Sequence, residues 1–508
     1  MGPTRTNPPS PATARLKRRT PTSRTGRRRP TPRLTTNPSP TAARRSRPRN
    51  DPRRPATTRP KNRPRKRRKP ARPRSRKSRL NPRSKETPVD QAPVEIARAA
   101  HGSGSDVLRI GFIGCGNRGT GACREALSVK APVKLVAMGD LFADRLEVSL
   151  KNLEKYEDLR PRIDVPRARR FVGFDAYQEV IASGVDLVLL TTPPHFRPLH
   201  YAAAVQAGKH VFMEKPCCVD APGYRTLVAA NDEARRKKLS VVVGLQRRHQ
   251  QNYLDGIARI RDGQIGDVRF IRTYFNMPGG GRAGQLKPAG MSEMEYQIRH
   301  WAVFCWLGGD HLVEQATHEI DVANWVMDAH PVRAQGMGGR QVRMGPGNGD
   351  IWDHHAVEFE YANGVRHFCQ ARQQPGTWSH VSDNVHGTKG VLTLGVGAWG
   401  LGAANPRTLR AKGYRGDNPY QREHNDLVAS IRGEGPYVFD GDHGATSTMT
   451  AIMGRMATYS GQWIAWDEAV RSTLRLAPER YAFDAQPPVL PDAQGAYPAA
   501  VPGIGRAW

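Results

Sequence analysis

A glycine-rich turn between an apolar strand and a helix constrains this chain more than any other feature. The turn, Gly-Cys-Gly-Asn-Arg-Gly at Gly114–Gly119, follows an apolar stretch at 107–113 and opens a helical pattern that ends at Leu127. A second apolar stretch ends at Asp140, 21 residues beyond the last glycine. Strand, glycine turn, helix and strand-end acid in this order form the dinucleotide-binding fingerprint. The sequence therefore predicts a doubly wound parallel α/β domain of the Rossmann type. A structural βαβ unit with incidental glycines is the alternative.

Each position of the turn has a predicted role in holding a dinucleotide. Gly114 permits the tight turn, Gly116 lets the backbone approach a pyrophosphate, and Gly119 allows close packing of helix on strand. Asn117 and Arg118 stand at the start of the helix, where backbone N–H groups can bind phosphate.

Three further apolar stretches, at 185–190, 210–213 and 241–243, predict more strands of the same sheet. In open α/β sheets, ligands bind beyond the carboxyl ends of the strands. There Asp140 would accept hydrogen bonds from a ribose and repel a 2′-phosphate, so we expect NAD rather than NADP. The residues that follow the other strand ends, and that we expect in the same crevice, are Thr192, Pro193, His195, Glu214, Lys215 and Arg247.

Charge divides the chain in two. The 508 residues carry a formal charge of +33, and the first 90 hold 31 of the 79 bases, three of the 46 acids and no aromatic residue. Such a segment cannot bury enough apolar surface to offset its chain entropy, so it is predicted to be disordered. It could bind polyanions through counterion release, without sequence specificity. No apolar run approaches the ~18 residues that span a bilayer, so a membrane role is not expected.

The basic segment has a second interpretation, an artefact of a mis-called start or a frameshift. Residues 96–101 are similar to the end of an export signal, but no apolar segment precedes them. The chain as written is therefore predicted to be cytoplasmic, and periplasmic if a twin-arginine leader was lost. The predicted organisation is a tail at 1–93, an NAD-binding domain at 106–247, a substrate and oligomerisation domain at 248–475 and an extension at 476–508.

From about residue 106 to about 475, the chain resembles the glucose–fructose oxidoreductase/inositol dehydrogenase (Gfo/Idh/MocA) family. The resemblance is carried by the glycine turn, Asp140, Thr192-Pro193-Pro194-His195 and Glu214-Lys215-Pro216. It looks closest to the exported branch common in planctomycetes. The resemblance implies a C-terminal α/β domain whose open, mainly antiparallel sheet closes the substrate site, and a homo-oligomer, either a dimer or a tetramer.

The catalytic prediction centres on Glu314 and His318, which are four residues apart at the start of an apparent helix that runs to Met327. They match the family's acid-xxx-His motif, where the usual acid is Asp. Oxidising a secondary alcohol needs a base for the hydroxyl proton, and histidine titrates in the useful range. We predict His318 as general base, Lys215 as electrostatic partner of the substrate oxygen and Glu314 as orienting or substrate-binding acid. A structural role is the alternative for His318.

Four other side chains are candidates for contact with a polyhydroxylated substrate, although packing roles are equally open for them. They are Arg247, Tyr296, Arg299 and His311.

A metal centre is the competing interpretation of the histidines. His311, Glu314 and His318 would share one helical stripe, and Asp353-His354-His355 could add ligands. Adjacent residues of a strand face opposite ways, so His354 and His355 cannot easily serve one site. Hydride transfer to NAD needs no metal, and we predict none in the catalytic site.

These features together predict an NAD-dependent oxidoreductase acting on a secondary hydroxyl of a sugar, cyclitol or glycoside. A redox-neutral glycosidase or lyase that passes through a keto-sugar is one alternative. A non-catalytic protein that binds NAD or polyanions is another. The expected partner is a small carbohydrate-like molecule, with no specific nucleic acid.

Overall fold

The computed structural model describes residues 106–279, 283–395, 408–410 and 418–504. The predicted tail at 1–93 lies outside the described residues. Among the described residues, no helix has the length and apolar character needed to cross a bilayer.

The N-terminal half builds a parallel sheet of six strands in the order β3-β2-β1-β4-β5-β6. Its strands are β1 (Leu108–Ile113), β2 (Val133–Asp140), β3 (Arg170–Val172), β4 (Leu187–Leu190), β5 (His210–Met213) and β6 (Val241–Val243). Its helices are α1 (Asn117–Leu127), α2 (Ala143–Leu153), α3 (Ala176–Ala182), α4 (Arg197–Gln206) and α5 (Ala221–Arg236). The strand order reverses between β1 and β4, which places a ligand crevice at their carboxyl ends. This topology confirms the predicted doubly wound fold.

Strands of this sheet are apolar on both faces because helices cover both sides. Every residue of β4 and of β6 is buried. Close helix packing also explains Gly139 near the end of β2, since a Cβ there would lie 2.9 Å from a methyl group of Val180 in α3.

The C-terminal half forms a second sheet of eight strands in the order β13-β12-β11-β7-β10-β9-β8-β14. Its strands are β7 (Val268–Met277), β8 (Arg333–Gly339), β9 (His354–Glu360), β10 (Arg366–Gln373), β11 (His380–Gly387), β12 (Val391–Leu394), β13 (Thr408–Arg410) and β14 (Ile464–Ala465). All neighbours are antiparallel except the pairs β7–β10 and β12–β13. The expected mainly antiparallel sheet is therefore confirmed. A turn at Asn363-Gly364 joins β9 to β10, with Gly364 at a φ of 81°.

Eight helices accompany this sheet within the described residues. They are α6 (Gln251–Arg261), α7 (Glu293–Arg299), α8 (Cys305–Gly308), α9 (His311–Glu314), α10 (Thr317–Met327), α11 (Pro419–Arg432), α12 (Gly441–Ser460) and α13 (Trp466–Arg471). Two of them return to the first sheet. Leu427 and Val428 of α11 share a hydrophobic cluster with β5, β6 and α1, and Met449 and Ile452 of α12 share another with β4–β6. The two halves therefore have a continuous core beneath the crevice.

Candidate active site

The glycine turn has the geometry that a pyrophosphate requires. Gly114 has a φ of 95°, and a Cβ on it would lie 2.5 Å from the backbone nitrogen of Thr192. A Cβ on Gly119 would collide with the carbonyl oxygen of Gly114, whereas one on Gly116 would meet nothing within 4 Å. Gly116 is also the N-cap of α1, and its lack of a side-chain cap leaves the first N–H groups of the helix for a ligand. The turn therefore fits a dinucleotide.

Asp140 ties the turn to the end of β2. One carboxylate oxygen accepts the N–H of Cys115 at 2.6 Å, and the other accepts the N–H of Phe142 at 2.9 Å. Burial raises the pKa of Asp140 above its ordinary value. Each oxygen keeps a second lone pair, so a ribose hydroxyl can still be bound.

An open cavity lies against this end of the sheet. Its walls include Gly114, Gly116, Asp140, Phe142, Phe174, Thr192, Pro193 and Arg299. The cavity thus joins the glycine turn to the strand-end acid and to the predicted residues after β4, as one nucleoside of a dinucleotide requires.

Arg118 and Glu214, both predicted to contact cofactor, bind each other. The Arg118 Nε donates to a carboxylate oxygen of Glu214 at 2.5 Å, and its guanidinium lies 4.7 Å from the ring centre of Tyr420. Glu423 is fully buried beside them, and neither of its oxygens has a hydrogen-bond partner in the described chain. Burial and the charge of Glu214 raise the pKa of Glu423 well above its usual range. A buried carboxyl with a raised pKa therefore lies beside the Arg118–Glu214 pair.

Lys215, which follows the end of β5, contacts Glu314. Its Nζ donates to the backbone oxygen of Glu314 at 2.5 Å and to the Glu314 carboxylate at 3.1 Å. Both side chains are mostly buried, with exposed fractions of 14% and 22%. Glu314 thus holds the lysine through two oxygens.

His318 lies on α10, beside this pair. Its Nδ1 is buried and has no hydrogen-bond partner in the described part of the chain. Burial, followed by the positive charges of Lys215, Arg247 and Arg118, lowers the pKa of His318 well below 6.5. The imidazole is therefore neutral at pH 7 and able to accept a proton.

The predicted single helix from Glu314 to Met327 is wrong at its start. Glu314 ends α9, and α10 begins at Thr317. Between them the backbone widens, because the N–H groups of Gln315 and Ala316 both point at the carbonyl of His311, at 2.9 and 3.4 Å. Glu314 and His318 consequently belong to different helices, and the predicted helical stripe that also included His311 is not formed.

His195, predicted to contact cofactor, is enclosed by aromatic rings. Its Nε2 lies 2.8 Å from the hydroxyl of Tyr481, and Trp306 packs edge-on at 5.1 Å. Burial, helped by the charge of Arg475, lowers the pKa of His195 to about 3. Its neighbours Thr192 and Pro193 face the cavity.

The four candidate substrate contacts are dispersed. Arg247 is 3% exposed and ion-paired with Glu319 and Asp383. Although the charge of Arg247 lowers the pKa of Glu319, burial raises it to about 8. This places Arg247 in a buried charge network beneath His318.

The other three lie elsewhere. Tyr296 is buried and donates to the backbone oxygen of Gln285 at 2.6 Å. Arg299 lines the cavity, where its guanidinium lies 3.7 Å from the ring centre of Phe142. His311 is buried beside His355.

Sequence reasoning missed the aromatic residues that the C-terminal extension brings to the crevice. Phe483 stacks on Phe142 with ring centres 5.8 Å apart, and it also contacts Phe174 at 5.5 Å. Tyr481 contacts Phe174 and Phe196 as well as His195. Aromatic residues in a segment otherwise rich in proline and alanine were the available signal, because large apolar rings are seldom left in solvent.

The chain combines a doubly wound nucleotide domain with an open-sheet domain, and Lys215, near the carboxyl ends of the parallel strands, contacts Glu314. These features define a class of two-domain dinucleotide-binding proteins. Residues 108–244 match a family model described as an oxidoreductase family with an NAD-binding Rossmann fold. Residues 257–393 match the GFO/IDH/MocA C-terminal domain. The chain belongs to the Gfo/Idh/MocA family, and the predicted NAD cofactor is confirmed.

Curated relatives include inositol 2-dehydrogenases. That of Klebsiella pneumoniae is 32% identical over 165 residues, which are 32% of this chain and 44% of that protein. That of Azotobacter vinelandii is 29% identical over 231 residues, which are 45% of this chain and 56% of that protein. The chain spans about half the length of the curated relatives it matches. None of these relatives supports the predicted exported branch.

Solved structures share the fold. The aldose–aldose oxidoreductase of Caulobacter crescentus superposes with a TM-score of 0.55 at 18% identity, covering 70% of this chain and 99% of that one. The scyllo-inositol dehydrogenase of Lactobacillus casei, solved with NAD(H) and scyllo-inositol, gives 0.53 at 19% identity, covering 71% and 99%.

Proposed function

We propose that this protein is an NAD-dependent oxidoreductase that moves a hydride between nicotinamide and a secondary hydroxyl of a cyclitol or sugar. The observation that carries the proposal is the grouping of Lys215, Glu314 and His318 beside the crevice that holds the glycine turn. The names of the curated relatives, inositol 2-dehydrogenases, support a cyclitol as the first substrate to test.

The turn Gly114–Gly119 and the start of α1 would hold the pyrophosphate of NAD, and Asp140 would hold a ribose. Bound NAD supplies the hydride acceptor. These groups fit because Gly116 opens on free space and the cavity reaches Asp140.

In this proposal His318 takes the hydroxyl proton of the substrate as the hydride leaves the same carbon. Nε2 is the ring nitrogen for that proton, since Nδ1 is buried. Lys215 stabilises the negative charge that develops on the oxygen, and a preorganised cation does this best where water is excluded. Glu314 acts on the lysine, which it holds in place by its carboxylate and its backbone oxygen.

One observation favours the redox-neutral alternative as a second candidate. Tyr481 and Phe483 of the extension pack on residues that surround the cavity. A cofactor enclosed in this way would be released slowly, which suits a cycle in which the same NAD is reduced and then reoxidised.

The experiment that tests both candidates incubates the full chain with NAD and a panel of inositols, pyranosides and glycosides. Nicotinamide absorbance and product masses are followed in the same samples. Net NADH that disappears in His318→Ala supports the dehydrogenase, whereas a cleaved glycoside without net NADH supports the redox-neutral cycle. His354→Ala is the matched control, because His354 lies on β9 paired with Asp353. If no substrate yields either NADH or a cleaved glycoside, the proposal is contradicted.

The carbohydrate-like substrate, the homo-oligomer and the cellular location stay predictions.

A further inference from the structure

A buried group outside the proposed catalytic residues has the composition of a metal site. Asp310, His311 and His355 are 1%, 2% and 3% exposed, and their ligand-type atoms all lie within 4.8 Å of one another. They join the start of α9 to β9, which are separate elements of the C-terminal half.

His311 is the first sign that a ligand belongs there. Neither of its ring nitrogens has a hydrogen-bond partner in the described chain, although the side chain is buried. Its Nδ1 lies 2.8 Å from a carboxylate oxygen of Asp310 without the alignment of a hydrogen bond. Buried polar atoms are normally paired, and leaving one unpaired costs about 1–3 kcal/mol. The Nδ1 atom of His311 and the Asp310 oxygen therefore lie side by side without a shared proton, as two ligands of one cation would.

The hydrogen-bond partners of His355 also indicate that a cation belongs in this group. The hydroxyl of Thr458 donates to the backbone oxygen of Arg455 at 3.1 Å, so it must accept from Nδ1 of His355, which is 3.0 Å away. In the neutral ring, Nε2 then carries a lone pair, and it points at the Asp310 carboxylate 3.2 Å away. A lone pair facing a carboxylate is repulsive unless a cation lies between them.

The hydrogen bonds of Asp310 leave one carboxylate oxygen toward the two histidines. One oxygen accepts the backbone N–H of Trp352 at 3.0 Å and the hydroxyl of Tyr459. The other oxygen faces the histidines and also accepts the backbone N–H of Leu312 at 3.4 Å. Asp310 has a φ of 77° and a ψ of 159°, a conformation that is rare outside glycine and costs about 1–3 kcal/mol.

Charged side chains of both signs surround Asp310. The guanidinium of Arg343 interacts with both Asp310 and Asp353, and Asp350 lies close to Asp310. Arg455 donates to the backbone oxygen of Gly309. The acids Asp350 and Asp353 offset these basic side chains.

We propose that Asp310, His311 and His355 bind one divalent cation of the zinc class, with water as the fourth ligand. Two imidazole nitrogens and one carboxylate oxygen form a donor set that suits Zn²⁺. Thr458 is the outer partner that fixes the ring of His355, as is usual for metal-bound histidine. The ion ties α9 to β9, and Glu314, which holds Lys215, is the last residue of α9. The role is structural, and hydride transfer takes no step through the metal.

The test uses the full chain without a histidine tag, stripped with a chelator and titrated with Zn²⁺ and with Co²⁺. The proposal expects one equivalent bound per chain and the visible absorption of four-coordinate Co²⁺. His355→Phe should abolish both signals, and Thr458→Val should weaken binding by about 10- to 100-fold. His354→Phe, the next residue of β9, should bind like the wild type.

The proposal is overturned if the wild-type chain binds no stoichiometric Zn²⁺ or Co²⁺, or if His355→Phe and His354→Phe bind equally. Should His355→Phe fail to fold, as judged by circular dichroism, the wild-type and Thr458→Val titrations decide alone.

Discussion

His318 combines burial with a cationic environment, and that combination sets its proposed chemistry. A neutral imidazole can accept a proton at pH 7, and removing it takes away the base without touching the glycine turn. His318→Ala is therefore expected to lower kcat by about 10²- to 10⁴-fold. The Kd for NAD, measured by calorimetry, should stay the same. A kcat within about threefold of wild type would show that the proton goes elsewhere.

The same surroundings predict the pH dependence of activity. Because burial and the charges of Lys215 and Arg247 lower the pKa of His318, protonation that stops catalysis should begin only well below pH 6.5. The acidic limb of log kcat/KM should therefore lie below pH 6.5. A limb above that pH would mean that another group carries the proton, or that substrate binding reverses the effect of the cations.

Single residues also show where sequence reasoning stops. Lys215 and His318 could be singled out because one follows a strand end and the other matches a family motif. The contact between Lys215 and Glu314 could not be inferred, because the sequence gives no distance between β5 and α9. Glu314 was expected to orient a histidine or bind substrate, and instead it contacts Lys215 through two oxygens.

At the scale of elements, the break between α9 and α10 illustrates a similar limit. The periodicity of apolar residues continues across Gln315 and Ala316, so it predicts one helix. Tertiary contacts decide otherwise: the carbonyl of Glu314 accepts from Lys215, while the side chain of Gln315 accepts from Gln373. The residue types at Gln315 and Ala316 do not indicate that the helix is interrupted there.

The C-terminal extension makes its own prediction, because Phe483 supports the ring of Phe142 at the cavity wall. An aromatic pair of this kind contributes about 0.5–1.5 kcal/mol. Phe483→Ala should accordingly raise the Kd for NAD by about two- to tenfold. Leu490→Ala, another exposed apolar residue of the extension, should leave the Kd unchanged. Equal affinities in wild type and Phe483→Ala would show that the extension does not support the cofactor pocket.

For the whole molecule, buried histidines make stability depend on pH. His367 of β10 is fully buried, bonded to Thr273 through Nε2, and burial lowers its pKa to about 3. The unfolded chain takes up this proton near pH 6.5 and the folded chain does not, so stability is present above pH 6.5 and is lost as the pH falls. The loss from this residue between pH 7.5 and 5.5 is about 1.4 kcal/mol.

His367→Gln should remove that part of the loss, because glutamine keeps a partner for Thr273 and does not titrate. Urea unfolding at pH 7.5 and 5.5 measures it. Between pH 7.5 and 8.5 the residue at position 367 is neutral in both the wild type and His367→Gln. The difference between their free energies of unfolding should therefore be constant over that range. An unchanged loss between pH 7.5 and 5.5 would show that His367 is protonated in the folded chain.

The architecture was largely predictable, and the arrangement of its parts was not. The glycine turn and the spaced apolar stretches predict a doubly wound sheet because strands that alternate with helices form a parallel sheet with helices on both faces. The return of α11 and α12 onto that sheet depends on contacts between Leu427 or Met449 and strands about 200 residues earlier. No local pattern records such long-range packing.

The most direct test of the account is the formation of NADH by the full chain with NAD and a panel of inositols and pyranosides. We predict net absorbance of reduced nicotinamide with at least one cyclitol or sugar, lost in His318→Ala and kept in His354→Ala. NAD bound at the glycine turn without NADH or a keto-sugar intermediate from any member of the panel would contradict it.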